Sequence, residues 1–246
     1  MVQALLVVLS LLTVFIIGFL IYQRDKNKEP LDILLILAAG GIGAAVITLI
    51  LNYILSYIPF FHDGYENLGS VELFIYVFIG IALVEEFSKW ILIFGIGYDN
   101  DEFDELFDMI VYAVFVSLGF ACLENILYIK SSTTGVMLLR MVLALPGHAC
   151  FAIFMGYYLG LSKLERVKGN NSTAIIYMIL SVIIPTIIHG FYDFCLLIDS
   201  NFFTALFVVF IIVLYYLAIR RVLIVSKRNQ QIYNYGWKRW YKWIYY

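Results

Sequence analysis

The sequence predicts an all-α, polytopic integral membrane protein with about seven transmembrane helices, and three observations carry this prediction. Of the 246 residues, 63% are hydrophobic and only 14% are charged, with a mean hydropathy of +0.92, whereas a soluble domain carries roughly 25% charged residues. Apolar stretches recur along the whole chain, each near the ~20 residues that cross a bilayer core. They lack the alternating pattern of barrel strands, so they must pair their own backbone groups as helices.

The ends of these apolar stretches predict where each helix begins and ends. Pro30 suits the first turn of the second helix, and Pro59 is expected to end it. No internal repeat or linker interrupts the chain, so residues 1–246 are predicted to form a single membrane domain. The predicted spans are 1–22, 31–58, 71–94, 104–129, 136–161, 173–197 and 201–224.

Basic residues predict the orientation of the helices. They cluster after the first span, after the fifth span and in the C-terminal tail, and they are missing from the loops at 59–70 and 198–200. Loops rich in lysine and arginine stay on the cytoplasmic side, so the N-terminus is predicted outside and the C-terminus inside. The tail at 226–246 interleaves aromatic and basic residues, which is typical of an interfacial anchor. A scattered net charge of −2 does not indicate nucleic-acid binding.

The spans from the third to the sixth contain ionisable side chains that lipid does not tolerate. Each costs roughly 2.5–3.5 kcal/mol at mid-membrane on insertion scales. Taking the span centres as the midplane, the rise of a helix places Glu85 and His148 near it and Glu124 roughly 10–12 Å toward the outside. We therefore expect a buried polar cavity that opens outward, built from catalytic helices at about 71–197. The residues concerned are Glu85, Glu86, Lys89, Glu124, His148, His189 and Asp193.

Local spacing indicates which of these groups can meet. Lys89 follows Glu85 by four residues and Glu86 by three, so its ammonium can reach either carboxylate. The two glutamates point about 100° apart on a helix, so one is expected to do the chemistry and the other to position it. His189 and Asp193 share a helix face. The fifth span carries small residues every four positions around His148, which places the histidine at a helix–helix contact.

The available chemistry is limited by the motifs that are missing. There is no GxSxG, no GxGD setting with paired aspartates and no HExxH, which argues against serine, aspartyl and HExxH-type zinc proteases. A glutamate with two histidines can activate a water and stabilise an oxyanion. The same residues can hold a metal, and spacing does not separate the two cases.

Four segments resemble the PrsW family of bacterial intramembrane proteases in order and spacing. They are VEEFSKW, FDELFDMIVYAVFVSLGFACLENILY, LPGHACFAIFMGYYLG and HGFYDF, between residues 84 and 194. The family is distantly similar to CAAX-type prenyl proteases, whose motifs are EExxxR, FxxxH and HxxxN. This chain departs from those motifs, since Ala144 and Asp193 stand at the Phe and Asn positions.

The resemblance implies an endopeptidase of the bacterial plasma membrane that makes the first cut in a single-pass anti-sigma factor, as part of a stress response. It implies Glu85 as the base on water, Glu86 as its essential neighbour, His148 as a proton relay and His189 as the oxyanion donor. Glu124 and Asn125 would support the site. Asp193, as an ionised acceptor, would orient His189.

Three alternatives stay open from the sequence. A small transporter or channel would use the buried charges as an ion path, although no paired repeats are visible. A CAAX-type protease would need a cavity that opens inward. For cofactors we expect none, because Lys89 beside Glu85 resembles the arrangement of a base, while a divalent metal such as zinc remains the alternative.

Overall fold

The computed structural model describes residues 2–129, 132–228 and 232, and this part of the chain is helical with connecting loops and no β-strand. The all-α prediction is therefore confirmed. The elements are α1 (Val2–Arg24), α2 (Leu31–Leu55), α3 (Pro59–His62), α4 (Ser70–Ile75), the π-helix π1 (Tyr76–Leu83), α5 (Val84–Gly97), α6 (Leu106–Tyr128), α7 (Thr134–Val142), α8 (Ala144–Val167), α9 (Asn171–Leu197) and α10 (Asn201–Arg228).

Six helices within the described residues are long and apolar enough to cross a membrane, which agrees with a polytopic membrane protein. The third predicted span, at 71–94, corresponds to the run of α4, π1 and α5, in which Glu85, Glu86 and Lys89 raise the charge of the segment. Seven crossings therefore remain a prediction. The six helices that are long and apolar enough are Val2–Arg24, Leu31–Leu55, Leu106–Tyr128, Thr134–Val167, Asn171–Leu197 and Asn201–Arg228.

Two boundaries differ from the prediction. The second span was expected to reach residue 58, but α2 ends at Leu55, and Pro59 begins α3 instead of only stopping α2. The fifth span, expected at 136–161, is divided at Leu143 into α7 and α8. Pro146 therefore lies in the first turn of α8, where a missing N–H costs no hydrogen bond. Pro185 does lie inside its helix.

Helix α6 is the centre of the molecule and is buried along nearly its whole length. Glycines allow its neighbours to approach its backbone. A Cβ on Gly41 of α2 would lie 2.0 Å from the carbonyl oxygen of Val116, and one on Gly156 of α8 would lie 2.4 Å from that of Met109. Small residues at helix contacts permit this separation, so the predicted role of the small-residue pattern in α8 agrees with the packing.

Segments predicted to share one side of the membrane meet at one end of the bundle. Asn27 Nδ2 donates to Glu105 Oε1 at 2.6 Å, and Lys26 Nζ donates to the Lys227 carbonyl at 3.1 Å. The Ile232 N–H donates to the Asp104 carbonyl at 2.7 Å. Which end faces the cytoplasm stays a prediction. The anchor predicted at 226–246 lies outside the described residues, apart from 226–228 and 232.

The glycine contacts generate a matched test on one helix. Gly41→Ala should destabilise the protein by about 1–3 kcal/mol, because the added methyl overpacks against the α6 backbone. Gly43→Ala should leave the stability unchanged or raise it, because no atom lies within 4 Å of that Cβ position and alanine favours helix over glycine. Thermal unfolding of both purified variants in one detergent measures the difference, and equal midpoints would contradict the packing described above.

Candidate active site

The π-helix π1 leads directly into the helix that carries both glutamates. A π-helical segment widens the helix locally and often occurs at functional sites. Glu85 and Glu86 follow in the first turn of α5, and Lys89 lies one turn further along. The π-helical segment therefore ends just before the first ionisable side chains.

The ammonium of Lys89 lies at the centre of these polar groups. Lys89 Nζ donates to Glu86 Oε1 at 2.7 Å, lies 3.5 Å from Glu85 Oε2 and donates to His148 Nδ1 at 3.1 Å. It also lies 4.1 Å from the centroid of the Phe120 ring, a cation–π contact. A lysine that is only 1% exposed thus has partners on three helices and does not extend to the membrane surface.

His189 is held between carboxylates on both sides of its ring. Its Nδ1 lies 2.9 Å from Glu86 Oε1, and its Nε2 lies 3.2 Å from Asp193 Oδ2 and 4.0 Å from Glu85 Oε2. The Phe151 ring stacks on the imidazole with centroids 4.7 Å apart. The position and the rotation of this ring are therefore both fixed.

His148 has a tautomer that follows from its two neighbours. The Lys89 ammonium can only donate, so the Nδ1 of His148 accepts and its Nε2 carries the proton. That Nε2–H donates to Glu124 Oε2 at 2.9 Å. The two imidazoles lie nearly perpendicular, with ring centroids 5.4 Å apart.

The structure brings together the ionisable residues that the sequence singled out. Asn125 lies one step outside, where its Nδ2 donates to Ser10 Oγ at 2.7 Å and its Oδ1 accepts from Arg140 Nε at 2.9 Å. Glu124 and His148, placed at different depths from the sequence, meet through the hydrogen bond between Glu124 Oε2 and His148 Nε2. His148 lies in the second turn of α8, not in the middle of one helix spanning 136–161.

Arg140 is a polar neighbour of the site that the sequence reasoning missed. Its Nη2 lies 2.9 Å from Glu124 Oε2, and its guanidinium covers the Tyr128 ring at 3.9 Å. The sequence did contain a signal for this residue, because Arg140 lies within an apolar stretch and away from the basic loops. Its helix, α7, was hidden by the assumption of one continuous span.

The exposed fraction of the acidic residues increases from the centre of the site toward one side. Glu86 is fully buried and Glu85 is 8% exposed. The side chains of Glu124 and Asp193 are 18% and 21% exposed. Glu85 therefore lies between the buried Lys89–Glu86 pair and the more exposed carboxylates of Glu124 and Asp193.

Four of these side chains also form a possible metal-ligand set. One ligand atom from each of Glu85, Glu86, His148 and His189 lies within 4.8 Å of the others. Nitrogen and oxygen donors suit zinc, and a histidine ligand usually donates its other ring nitrogen to a carboxylate. Both histidines have such an outer carboxylate. The donors therefore fit a zinc ion, provided that Lys89, which contacts three of them, turns aside.

Two glutamates and two histidines gathered inside membrane helices are the groups expected in an intramembrane hydrolase. The model of the PrsW family of intramembrane metalloproteases matches residues 29–219. The "Protease PrsW" of Oceanobacillus iheyensis is 37% identical over 203 residues, which cover 82% of this chain and 87% of the relative. That of Geobacillus kaustophilus is 33% identical, covering 82% and 83%, and that of Clostridioides difficile is 32% identical, covering 85% and 87%. No solved structure matches the chain.

The chain therefore belongs to the PrsW family and is a protease of a bacterial membrane. The resemblance seen in the motifs is confirmed. Family membership favours a protease over the transporter considered from the buried charges alone. The family is described as metalloproteases, so a metal ion at this site stays an alternative.

Arg140 provides a test of the outer hydrogen bonds. Arg140→Met should lower the rate of substrate cleavage by about 10–100-fold, because Glu124 loses the partner that orients it toward His148. The loss should appear in kcat more than in KM, since Arg140 acts through Glu124. Arg140→Lys keeps the charge but not the fork that also reaches Asn125, so it should recover part of the rate. Arg24→Met, on an exposed residue, is the control, and wild-type kcat in a folded Arg140→Met variant would contradict this role.

Proposed function

We propose that the chain is a glutamate-dependent endopeptidase that makes the first (site-1) cut in a single-pass anti-sigma factor, which leads to release of the sigma factor. Family membership supports the membrane endopeptidase. The motif resemblance between residues 84 and 194 supports the anti-sigma factor as the substrate. The observation that carries the chemistry is the unequal environment of the two adjacent glutamates.

Glu85 is the better candidate for the base. The nearest nitrogen atoms to its carboxylate, Lys89 Nζ and His189 Nε2, are 3.5 and 4.0 Å away, and it is the more exposed of the pair. Glu86 has no exposure, and its Oε1 accepts short bonds from Lys89 and His189. A carboxylate held in this way anchors its neighbours. A carboxylate that is held less tightly, beside the open side, can take a proton from water.

The reaction then proceeds by addition of water to the scissile carbonyl. The water oxygen forms a bond to the carbonyl carbon while its proton passes to Glu85. Collapse of the tetrahedral intermediate breaks the C–N bond, and the proton is delivered to the leaving amine. His189 Nε2, the ring nitrogen on the side of Glu85 and Asp193, is the candidate donor to the oxyanion.

The two histidines keep their orientation through their outer carboxylates. Glu124 accepts from His148, and Asp193 Oδ2 lies 3.2 Å from His189 Nε2 as an ion-pair contact, so neither imidazole is free to rotate. This is the orienting role expected for Asp193, and it needs no donor from an ionised carboxylate. Lys89 holds Glu86 and His148 in place from the buried side.

The outer carboxylates favour the metal alternative that the sequence left open. His148, His189 and a glutamate of the pair would hold a zinc ion. Bound there, zinc would polarise the scissile carbonyl as a Lewis acid. With zinc bound, the glutamate that does not hold the ion would keep the proton-handling task, and Lys89 would turn away from His148.

Substitution of the central residues tests the proposed chemistry. Glu85→Gln, Glu86→Gln, His148→Ala and His189→Ala should each lower cleavage by about 10²–10⁴-fold, since each removes a base, a donor or its anchor. Co-expression with candidate single-pass anti-sigma factors, with detection of the truncated product, measures the effect. Glu66→Gln, in an exposed loop, should cleave as wild type does. Normal turnover by folded Glu85→Gln would remove Glu85 as the base.

Metal content is tested separately from the choice of substrate. Purified wild-type protein should contain about one zinc per chain, and this zinc should be lost in the double variant His148→Ala/His189→Ala. Elemental analysis after a chelator wash gives the count. If washed protein is fully active without stoichiometric metal, the site is metal-free, as the spacing of Lys89 and Glu85 first indicated.

A further inference from the structure

A second group of buried charges lies at the end of the bundle where α1 and α2 are joined. It consists of three carboxylates: Asp25 and Glu29 in the loop between α1 and α2, and Asp108 in the first turn of α6. One oxygen from each lies within 4.8 Å of the others. Their exposures are 3%, 5% and 0%. None of them belongs to the site described above.

One oxygen of Asp108 and one oxygen of Glu29 are fixed by hydrogen bonds. Asp108 Oδ2 accepts from the N–H groups of Asp104 and Glu105 at 3.0 and 2.7 Å. Glu29 Oε2 accepts from the Tyr112 hydroxyl at 2.5 Å. These bonds hold two of the three carboxyl groups in one orientation.

Three of the four remaining oxygens lack a hydrogen bond of normal geometry. They are both carboxylate oxygens of Asp25 and the Oδ1 of Asp108, and all three are buried. The backbone N–H groups of residues 26, 27 and 29 face Asp25 closely enough to oppose the rise of its pKa. Lys28, the nearby lysine, donates instead to the main-chain carbonyls of Tyr22 and Asp25. Among the described residues, no basic side chain forms an ion pair with any of the three carboxylates.

Buried carboxylates without a partner are costly, and buried charges are normally paired or coordinate a metal. Three of them this close also repel one another. Oxygen ligands without nitrogen or sulfur suit hard cations such as Mg²⁺ and Ca²⁺. We propose that Asp25, Glu29 and Asp108 bind one hard divalent cation, which joins the loop between α1 and α2 to the start of α6.

The rival occupant of this site is a proton. Burial raises the pKa of the Glu29 carboxyl to about 7 and also raises the pKa of Asp25. Protonation would relieve the same repulsion, and its stabilising effect would be lost as the pH rises through about 7. The measurement is therefore made at pH 8, above the pKa of Glu29, where fewer protons compete with a cation.

The test uses the full chain, purified in detergent and freed of metal with a chelator. Equilibrium dialysis with radioactive Ca²⁺, and competition by Mg²⁺, should give one saturable site. At a hundredfold excess over the dissociation constant, the unfolding midpoint should rise by about 5–10 °C. Absence of saturable binding to wild type at pH 8, with stabilisation by acid alone, overturns the proposal in favour of protons.

Variants locate the bound ion. Asp25→Asn should abolish both the binding and the shift, and without metal it should unfold no earlier than wild type because repulsion is reduced. Asp101→Asn, on an exposed acid of the loop before α6, should keep both. His148→Ala/His189→Ala should also keep them, which separates this site from the central one. A shift that persists undiminished in Asp25→Asn refutes the assignment.

Discussion

The buried ammonium of Lys89 is the interaction on which the centre of the molecule depends. A lone carboxylate such as Glu86 could not stay ionised without exposure, and the lysine is close enough to both glutamates to compensate their charge. Removing one member of such a group strands the others as unpaired buried charges. The geometry of both histidines follows from this centre, since His148 accepts from Lys89 and His189 shares an oxygen of Glu86 with it.

Helix α6 transmits this arrangement to the rest of the bundle. Its buried length and the glycines that face it bring α2 and α8 into backbone contact. Glu124, near one end, orients His148 through a hydrogen bond, while Asp108, near the other end, accepts from the backbone of the preceding loop. The position of one helix therefore sets the geometry of both groups of buried carboxylates.

Much of the candidate site was predictable because charges inside apolar spans have a high cost and need a reason to be there. Glu85, Glu86, His148 and His189 stood out on that ground alone, and the spacing of Lys89 already indicated its carboxylate partners. The hydrogen bond between Glu124 and His148 was not predictable, since it required knowledge that α8 begins at Ala144. Arg140 was missed for the same reason, because α7 and α8 read as one apolar stretch.

The sequence by itself determined the helical membrane class, the family and most of the polar residues of the site, because hydrophobic length and motif order are local properties of the chain. Only the tertiary structure decided that Glu86 is sealed while Glu85 faces the open side, and that each histidine has its own outer carboxylate. The tertiary structure also brought Asp25 and Glu29 against Asp108. Such contacts depend on how helices rotate and pack against α6, which side-chain volumes across several helices decide together.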